Sequence, residues 1–242
     1  MSGAAIVIGA GDATGGAISR AFAHDGLTAC VNRRARNGDA LEALAASIRD
    51  EGLKARAFPG DAREEADMAA LFETVEAEVG PVDVAVFNIG ANVNFPITEM
   101  TAQVYRKVWE MACFGGFLMG REAARHMQKR GKGTIIFTGA TASLRGGVGY
   151  SAFSGAKAAL RMLAQSMARE LGPNGIHVAH VVIDGAIDTA FIRDRHPDFD
   201  AAKAADLVLS PDAIAAQYVM LHHQPRNAWT HELDLRPWGE SF

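Results

Sequence analysis

Seven short apolar runs, interleaved with amphipathic stretches, constrain the fold of this 242-residue chain more than any other feature. The runs are AAIVI (4–8), TACVN (28–32), KARAF (54–58), VDVAVFN (82–88), GTIIFT (133–138), HVAHVV (177–182) and HELDL (231–235). Between them GGAISRAFAHDG, DALEALAASIRDEG, EADMAALFETVEAEVG, the segment 101–129 and YSAFSGAKAALRMLAQSMAREL place apolar residues at three-and-four spacing, which predicts helices. SPDAIAAQYVMLHH starts another, with Ser210 as N-cap and Pro211 at the first helical position. Strands that are nearly continuous in apolar residues are buried on both faces, and strand–helix alternation makes them parallel. The expected architecture is therefore α/β: a doubly wound parallel sheet of about seven strands with helices on both faces. With 49% hydrophobic residues, one domain spanning 1–242 can bury roughly 70% of its unfolded surface. The longest stretch without a clear element is 183–209, IDGAIDTAFIRDRHPDFDAAKAADLVL. A connection of that length in a compact domain is usually functional, and here it is placed to cover a ligand.

The first strand runs into GAGDATGGAI and then a helix. Gly9, Gly11 and Gly15 let phosphate oxygens approach the backbone, with Asp12 and Thr14 in the same turn. The free N–H groups and positive dipole end of the helix face that space. A glycine-rich turn alone also marks any tight strand–helix connection; its place at the head of a βαβ unit points to a dinucleotide. The second strand ends in NRRAR, where an acid would favour a free adenosine 2′-hydroxyl and arginine a 2′-phosphate. Asn32 is not acidic and Arg33 and Arg34 follow it. At about 6 Å and an effective dielectric near 20, each charge pair is worth about 3 kcal/mol, so two arginines outweigh Asp12. The expected cofactor is NADP(H), with NAD(H) the alternative. Asp12 pairing with Arg33, and Arg34 or Arg36 as solvated surface charge, are the bland counterparts.

These pieces, in this order, resemble the short-chain dehydrogenase/reductase family over essentially the whole chain, which implies a Rossmann-type fold. GDA at 60–62 resembles the family segment whose aspartate, here Asp61, meets the adenine. FNIGA at 87–91 stands at the family's Asn-Asn-Ala-Gly turn, keeping Asn88 and Gly90. GAIDT at 185–189 resembles the Gly-x-Ile-x-Thr segment along the nicotinamide, which brings in Gly185, Ile187 and Thr189. Lys157 stands where the family's lysine bridges the cofactor ribose hydroxyls. The departures lie in the usual Asn-Ser-Tyr-Lys active site. Phe153 replaces the tyrosine, Ala140 the serine and Ala112 the asparagine, while Ala13 replaces a loop glycine and Asp184 a proline. A positioned general acid contributes roughly 10²–10⁴ in rate. Its loss argues against ordinary ketone reduction without excluding hydride transfer to an activated acceptor.

Another acid is available in the sequence. Tyr150 precedes Lys157 with six residues between them, a spacing that resembles divergent enoyl-thioester reductases of the same superfamily, although their longer glycine-loop spacing is missing. Tyr150 also follows RGGVG and can equally be a loop aromatic. Lys157, Tyr150 and Thr141 are the candidate catalytic residues. Ser143, Ser154 and Asp184 stand behind them, because hydroxyls need an activating neighbour and Asp184 needs a raised pKa to donate near neutrality. Three functions remain open: an NADP(H)-dependent oxidoreductase acting on a small carbonyl or activated alkene, a non-catalytic dinucleotide-binding protein, and an enoyl-thioester reductase-like enzyme using Tyr150.

Other features exclude more than they propose. Net charge is −4 with no long basic run, which argues against nucleic acid. Cys30 and Cys113 sit in apolar segments without metal spacing, and the short apolar start lacks a basic leader; a cytoplasmic protein with no membrane segment is expected. His222 with His223, and His177 with His180, point to different sides of their elements, so no metal is expected. Trp109, Met111, Phe114, Phe117, Leu118 and Met119 form a packing stripe. The resemblance implies a homo-oligomer joined through this helix and the next, whose small residues Gly115, Gly116, Ala158 and Ala159 permit close packing. The tail DLRPWGESF carries aromatics that can dock on a neighbouring subunit or cover the core.

Overall fold

A computed structural model describes residues 3–11 and 13–240. The seven strands form one sheet, all pairs parallel: β1 (Ala4–Ile8), β2 (Thr28–Arg33), β3 (Ala55–Pro59), β4 (Val82–Phe87), β5 (Gly133–Thr138), β6 (Ile176–Ile183) and β7 (Glu232–Leu235). Their order across the sheet is β3-β2-β1-β4-β5-β6-β7. The chain thus winds outward twice from the β1–β4 neighbours, and the divergence there opens a crevice at the carboxyl ends of the strands.

Strand geometry divides the core in two. Side chains alternate faces, so Ala4, Ile6 and Ile8 join Phe72, Phe87, Met119, Phe137 and Leu160 on one side. Ala5 and Val7 join Phe22, Val31, Ile48, Ile136 and Tyr218 on the other. The first face is covered by α3 (Glu65–Glu78), α5 (Gly115–Met127) and α6 (Ser151–Leu171), the second by α1 (Thr14–His24), α2 (Gly38–Asp50) and α9 (Pro211–His222). Ser210 caps α9 as expected: its hydroxyl accepts from the Ala213 N–H, and Pro211 occupies the first turn. Gly116 lets α5 lie close to α6, because a Cβ there would sit 2.5 Å from Leu160 Cδ1.

Two expectations change in detail. The helix over 101–129 is α4 (Ala102–Trp109), a π turn (Glu110–Phe114) and then α5; Thr101 caps it, accepting from Val104 N–H at 3.2 Å. The wide turn carries Ala112 and Cys113. The segment 183–209 is not structureless. It holds α7 (Ala190–Arg193) and α8 (Phe199–Ala204), and a parallel bridge between Ile187 and Leu209 closes its base. Thr189 caps α7 through the Ile192 N–H, and buried Phe199, under the Arg193 guanidinium, anchors α8.

The C-terminal segment folds back over that base. Pro237 packs on Gly185, where a Cβ would come within 2.8 Å of its ring, and Trp238 Nε1 donates to Ala205 O at 3.1 Å. The Trp238 ring is otherwise exposed, while Phe242 lies outside the described residues. Among the described residues no helix is long and apolar enough to cross a membrane.

Candidate active site

The first turn is built by glycines for steric reasons. Gly9 has φ +82°, and a Cβ there would lie 2.8 Å from Asn88 O. A Cβ on Gly15 would overlap Gly9 O outright. At Gly11, by contrast, a Cβ would meet nothing within 4 Å, so the space over the turn is open. Ala13 gives α1 no side-chain cap, and Thr14 begins the helix buried; among the described residues no side-chain cap serves the first N–H groups of α1, which are suited to an anionic ligand. Asp12 lies outside the described residues. Asn88 Nδ2 donates to Gly9 O at 3.3 Å and ties the ends of β1 and β4 together. Beyond it Gly90 is open as well. A cradle that backbone alone can line, facing the N-terminus of a helix, suits a pyrophosphate.

Beside it the ends of β2 and β3 gather charge. Asn32 is buried and spends its amide on Phe58 O at 2.8 Å, which makes it a strand clamp. Arg33 ends β2, and Arg34 and Arg36 follow on the rim. Burial and then the neighbouring Arg36 hold the Arg34 guanidinium below its ordinary pKa; Arg63 and Arg33 add to this, and Asp61 opposes. Asp61 is gripped by Arg63 through Nε at 2.9 Å and Nη2 at 2.5 Å, hydrogen bonds that pull its carboxyl below the usual range. Sequence reasoning missed Arg63, although its place two residues after Asp61 was a usable signal.

Lys157 lies on the opposite side of the crevice, 2% exposed. Its Nζ donates to Thr138 O at 2.7 Å and Ile89 O at 2.9 Å, bridging the ends of β5 and β4. Burial brings its pKa down to about 7, opposed by Cys113. The Cys113 thiol is itself pushed up by burial, with Lys157 working against that. The ammonium sits 5.9 Å from the Phe153 ring centre. Phe153 and Ala112 are buried in a third apolar cluster with Val108, Cys113, Ala152 and Ala156, and Ala140 and Tyr150 pack against it. The three replaced positions are therefore neighbours in space, and together they make one dry patch. Tyr150 is the N-cap residue of α6 rather than part of its first turn, with its ring against Gly147.

Thr141 Oγ1 donates to Asp184 Oδ1 at 2.5 Å, and Asp184 is 1% exposed. Arg145 Nη2 is 3.4 Å from Oδ1, and Arg236 Nη1 is 3.7 Å from Oδ2. Ser143 Oγ is occupied in accepting from the Ala140 N–H, and Ser154 Oγ is buried within α6. Gly185 follows Asp184 with φ +149°, and Ile187 and Thr189 carry the chain into α7. The histidines go separate ways: His222 to Thr134, His223 to Asp25, His177 to Leu221 O and Thr230 O, and His180 to Glu232.

Fold and site define a doubly wound α/β protein with an open glycine turn at its switch point. Comparison with known proteins gives the family. The family described as short chain dehydrogenase matches residues 3–199, and the chain belongs to it. It is 32% identical over 202 residues, 83% of this chain and 80% of the relative, to cis-4-hydroxycyclohexanecarboxylate dehydrogenase of Sinomonas cyclohexanicum. The crystal structure of a short-chain dehydrogenase from Rhodopseudomonas palustris superposes with TM-score 0.83 at 46% identity, covering 98% of this chain and 99% of that one. An actinorhodin polyketide ketoreductase solved with NADPH has TM-score 0.88 at 24% identity, covering 98% and 96%, a likeness of fold. The named relatives are dehydrogenases and reductases, so the chain is placed among oxidoreductases.

Proposed function

We propose that this chain is an NADP(H)-preferring oxidoreductase that moves a hydride to or from a small carbonyl or activated alkene compound without the family's usual tyrosine. The observation that carries the proposal is convergence: the glycine cradle, Asn88 and the buried Lys157 face one crevice at the β1–β4 divergence. In this reading Gly9, Gly11, Thr14 and Gly15 hold the pyrophosphate, Asp12 sits in their loop, and Asp61 meets the adenine. Arg33, with Arg34 and Arg63 near it, takes the 2′-phosphate. Lys157 holds the nicotinamide ribose, Asn88 and Gly90 shape its floor, and Gly185, Ile187 and Thr189 line the nicotinamide. That the ketoreductase neighbour was solved with NADPH supports the cofactor class. When bound, the cofactor supplies or accepts the hydride; the chain's own part is to hold it, exclude water and handle the proton. Free, buried Cys30 and Cys113 suit a reducing, cytoplasmic setting, and the family likeness carries the proposal of a homo-oligomer.

The dry patch at Ala112, Ala140 and Phe153 favours a second reading, a protein that keeps the dinucleotide and catalyses nothing. One experiment separates the two. Purified protein is mixed with NADP⁺ and secondary alcohols (cis-4-hydroxycyclohexanecarboxylate, cyclohexanol, 1-phenylethanol), and with NADPH and the matching ketones or 2-cyclohexenone. Growth or loss of NADPH absorbance above the protein-free rate supports the enzyme. Saturable NADPH binding with every probe inert leaves the binder.

A further inference from the structure

A proton has to be handed between substrate and protein, and the replaced positions cannot carry it. Lys157 already spends two of its three N–H donors on Thr138 O and Ile89 O. The pair that stands out is Thr141 and Asp184. Thr141 is the residue after Ala140, at the carboxyl end of β5, and Asp184 is the residue before Gly185, at the carboxyl end of β6. Asp184 is a buried carboxylate where the resemblance leads one to expect an imino acid that carries no proton. Its Oδ1 takes the Thr141 hydroxyl hydrogen at 2.5 Å, while its Oδ2 is sealed from solvent and, among the described residues, has no hydrogen bond, with the Arg236 guanidinium at 3.7 Å. The charged groups around it are Arg145 from the β5–α6 loop and Arg236 from the C-terminal segment, with Asp234 paired to Arg236 behind it and Glu240 beside Gly185.

Hydrogen-bond bookkeeping gives this pair a direction. A hydroxyl has one proton and two lone pairs. Thr141 has committed the proton to Asp184, so to any further partner its hydroxyl can only accept, and its natural partner is an O–H. We propose that Thr141 and Asp184 form the proton relay of this site, taking the proton that an alcohol substrate releases on oxidation, an assignment that rests on the oxidoreductase reading above. As the alcohol carbon gives up its hydrogen with the bonding pair to the oxidised nicotinamide dinucleotide, the alcohol O–H breaks and its proton passes to Thr141 Oγ1. The Thr141 proton passes to Asp184 in the same movement, and the carbon–oxygen double bond of the ketone forms. Thr141 is the catalytic residue, and Asp184 is the positioning residue that receives through it.

The test has two readouts. In cofactor-free protein, the Thr141 hydroxyl proton gives a slowly exchanging downfield ¹H resonance that Thr141→Val and Asp184→Asn both abolish; absence of such a signal in the wild type overturns the pairing. With NADP⁺ and the secondary alcohols named above, Thr141→Val and Asp184→Asn lower kcat by about a hundredfold or more. KM and the NADPH Kd stay within about threefold, and Thr141→Ser, which keeps the hydroxyl, recovers most of the rate. Wild-type turnover that survives Thr141→Val, or that Thr141→Ser fails to recover, overturns the relay and leaves the oxidoreductase standing. A wild type that binds NADPH yet oxidises none of the alcohols overturns the relay; if it is inert with the ketones and 2-cyclohexenone as well, the oxidoreductase falls with it.

Discussion

Lys157 carries its amine to a place water cannot follow, and the consequence can be measured without any substrate. Its pKa is about 7 in the folded protein, whereas a lysine in an unfolded chain titrates near 10.4. Between those values the unfolded chain holds more protons than the folded one, so stability rises with pH across that window. Below about 7 both states are protonated and the full cost of burying the cation is present. One such group gives a slope of up to about 1.4 kcal/mol per pH unit. Urea unfolding from pH 7 to 9 is therefore expected to show stability climbing in the wild type and a flatter line in Lys157→Met. The absolute stability of that variant is a poorer guide, because Thr138 O and Ile89 O lose a donor when the amine goes, at about 1–3 kcal/mol per orphaned group. Identical slopes in the two proteins would mean that Lys157 titrates normally.

At the scale of elements, the last strand needs help to stay in place. β7 is four residues long and pairs on one side only. Arg161 of α6 reaches across to Glu232 of β7 with two hydrogen bonds, at 2.6 and 2.7 Å, and Glu232 also meets His180 of β6. Burial first, against the attraction of Glu232, brings His180 down to about 4, so it is neutral at physiological pH. The pair is partly exposed and bidentate, and Arg161→Met is expected to cost about 1 kcal/mol. For a chain of this size that lowers Tm by about 2–4 °C; an unchanged Tm would show the staple to be idle. None of this was legible in advance, because Arg161, His180 and Glu232 are brought together only by the order of strands. What the chain displays locally was legible: seven apolar runs, the Ser210–Pro211 start of α9 and the glycine turn, each set by near neighbours. The π turn inside 101–129 was not, since helix and π turn share one apolar period over five residues. The two short helices within 183–209 were not legible either, because α7 and α8 are held by Thr189 and by Phe199, contacts too small to outweigh a polar composition. The Thr141–Asp184 pair was visible only as two separate candidates, and the Arg63 grip on Asp61 was overlooked.

For the whole molecule, the outer faces of α4 and α6 expose Tyr105, Trp109 and Met162, with Phe117 continuing the strip on α5. Trp109, Phe114 and Phe117 stack along it at about 6 Å spacing. Apolar groups so arrayed favour a partner, and the proposed homo-oligomer predicts a mass of at least twice 25.7 kDa by light scattering. Met162→Glu is expected to lower that mass, and a monomeric wild type would contradict the proposal. The central claim is that the crevice at the β1–β4 divergence holds a nicotinamide dinucleotide and reads its 2′-phosphate. Titration of the protein with NADPH and with NADH, following tryptophan fluorescence, tests it most directly. Saturable binding of both is expected, with NADPH tighter by about tenfold or more, roughly 1.4 kcal/mol. Equal affinity for the two would contradict the reading of the 2′-phosphate, and failure of both to bind would leave the glycine cradle no more than a turn.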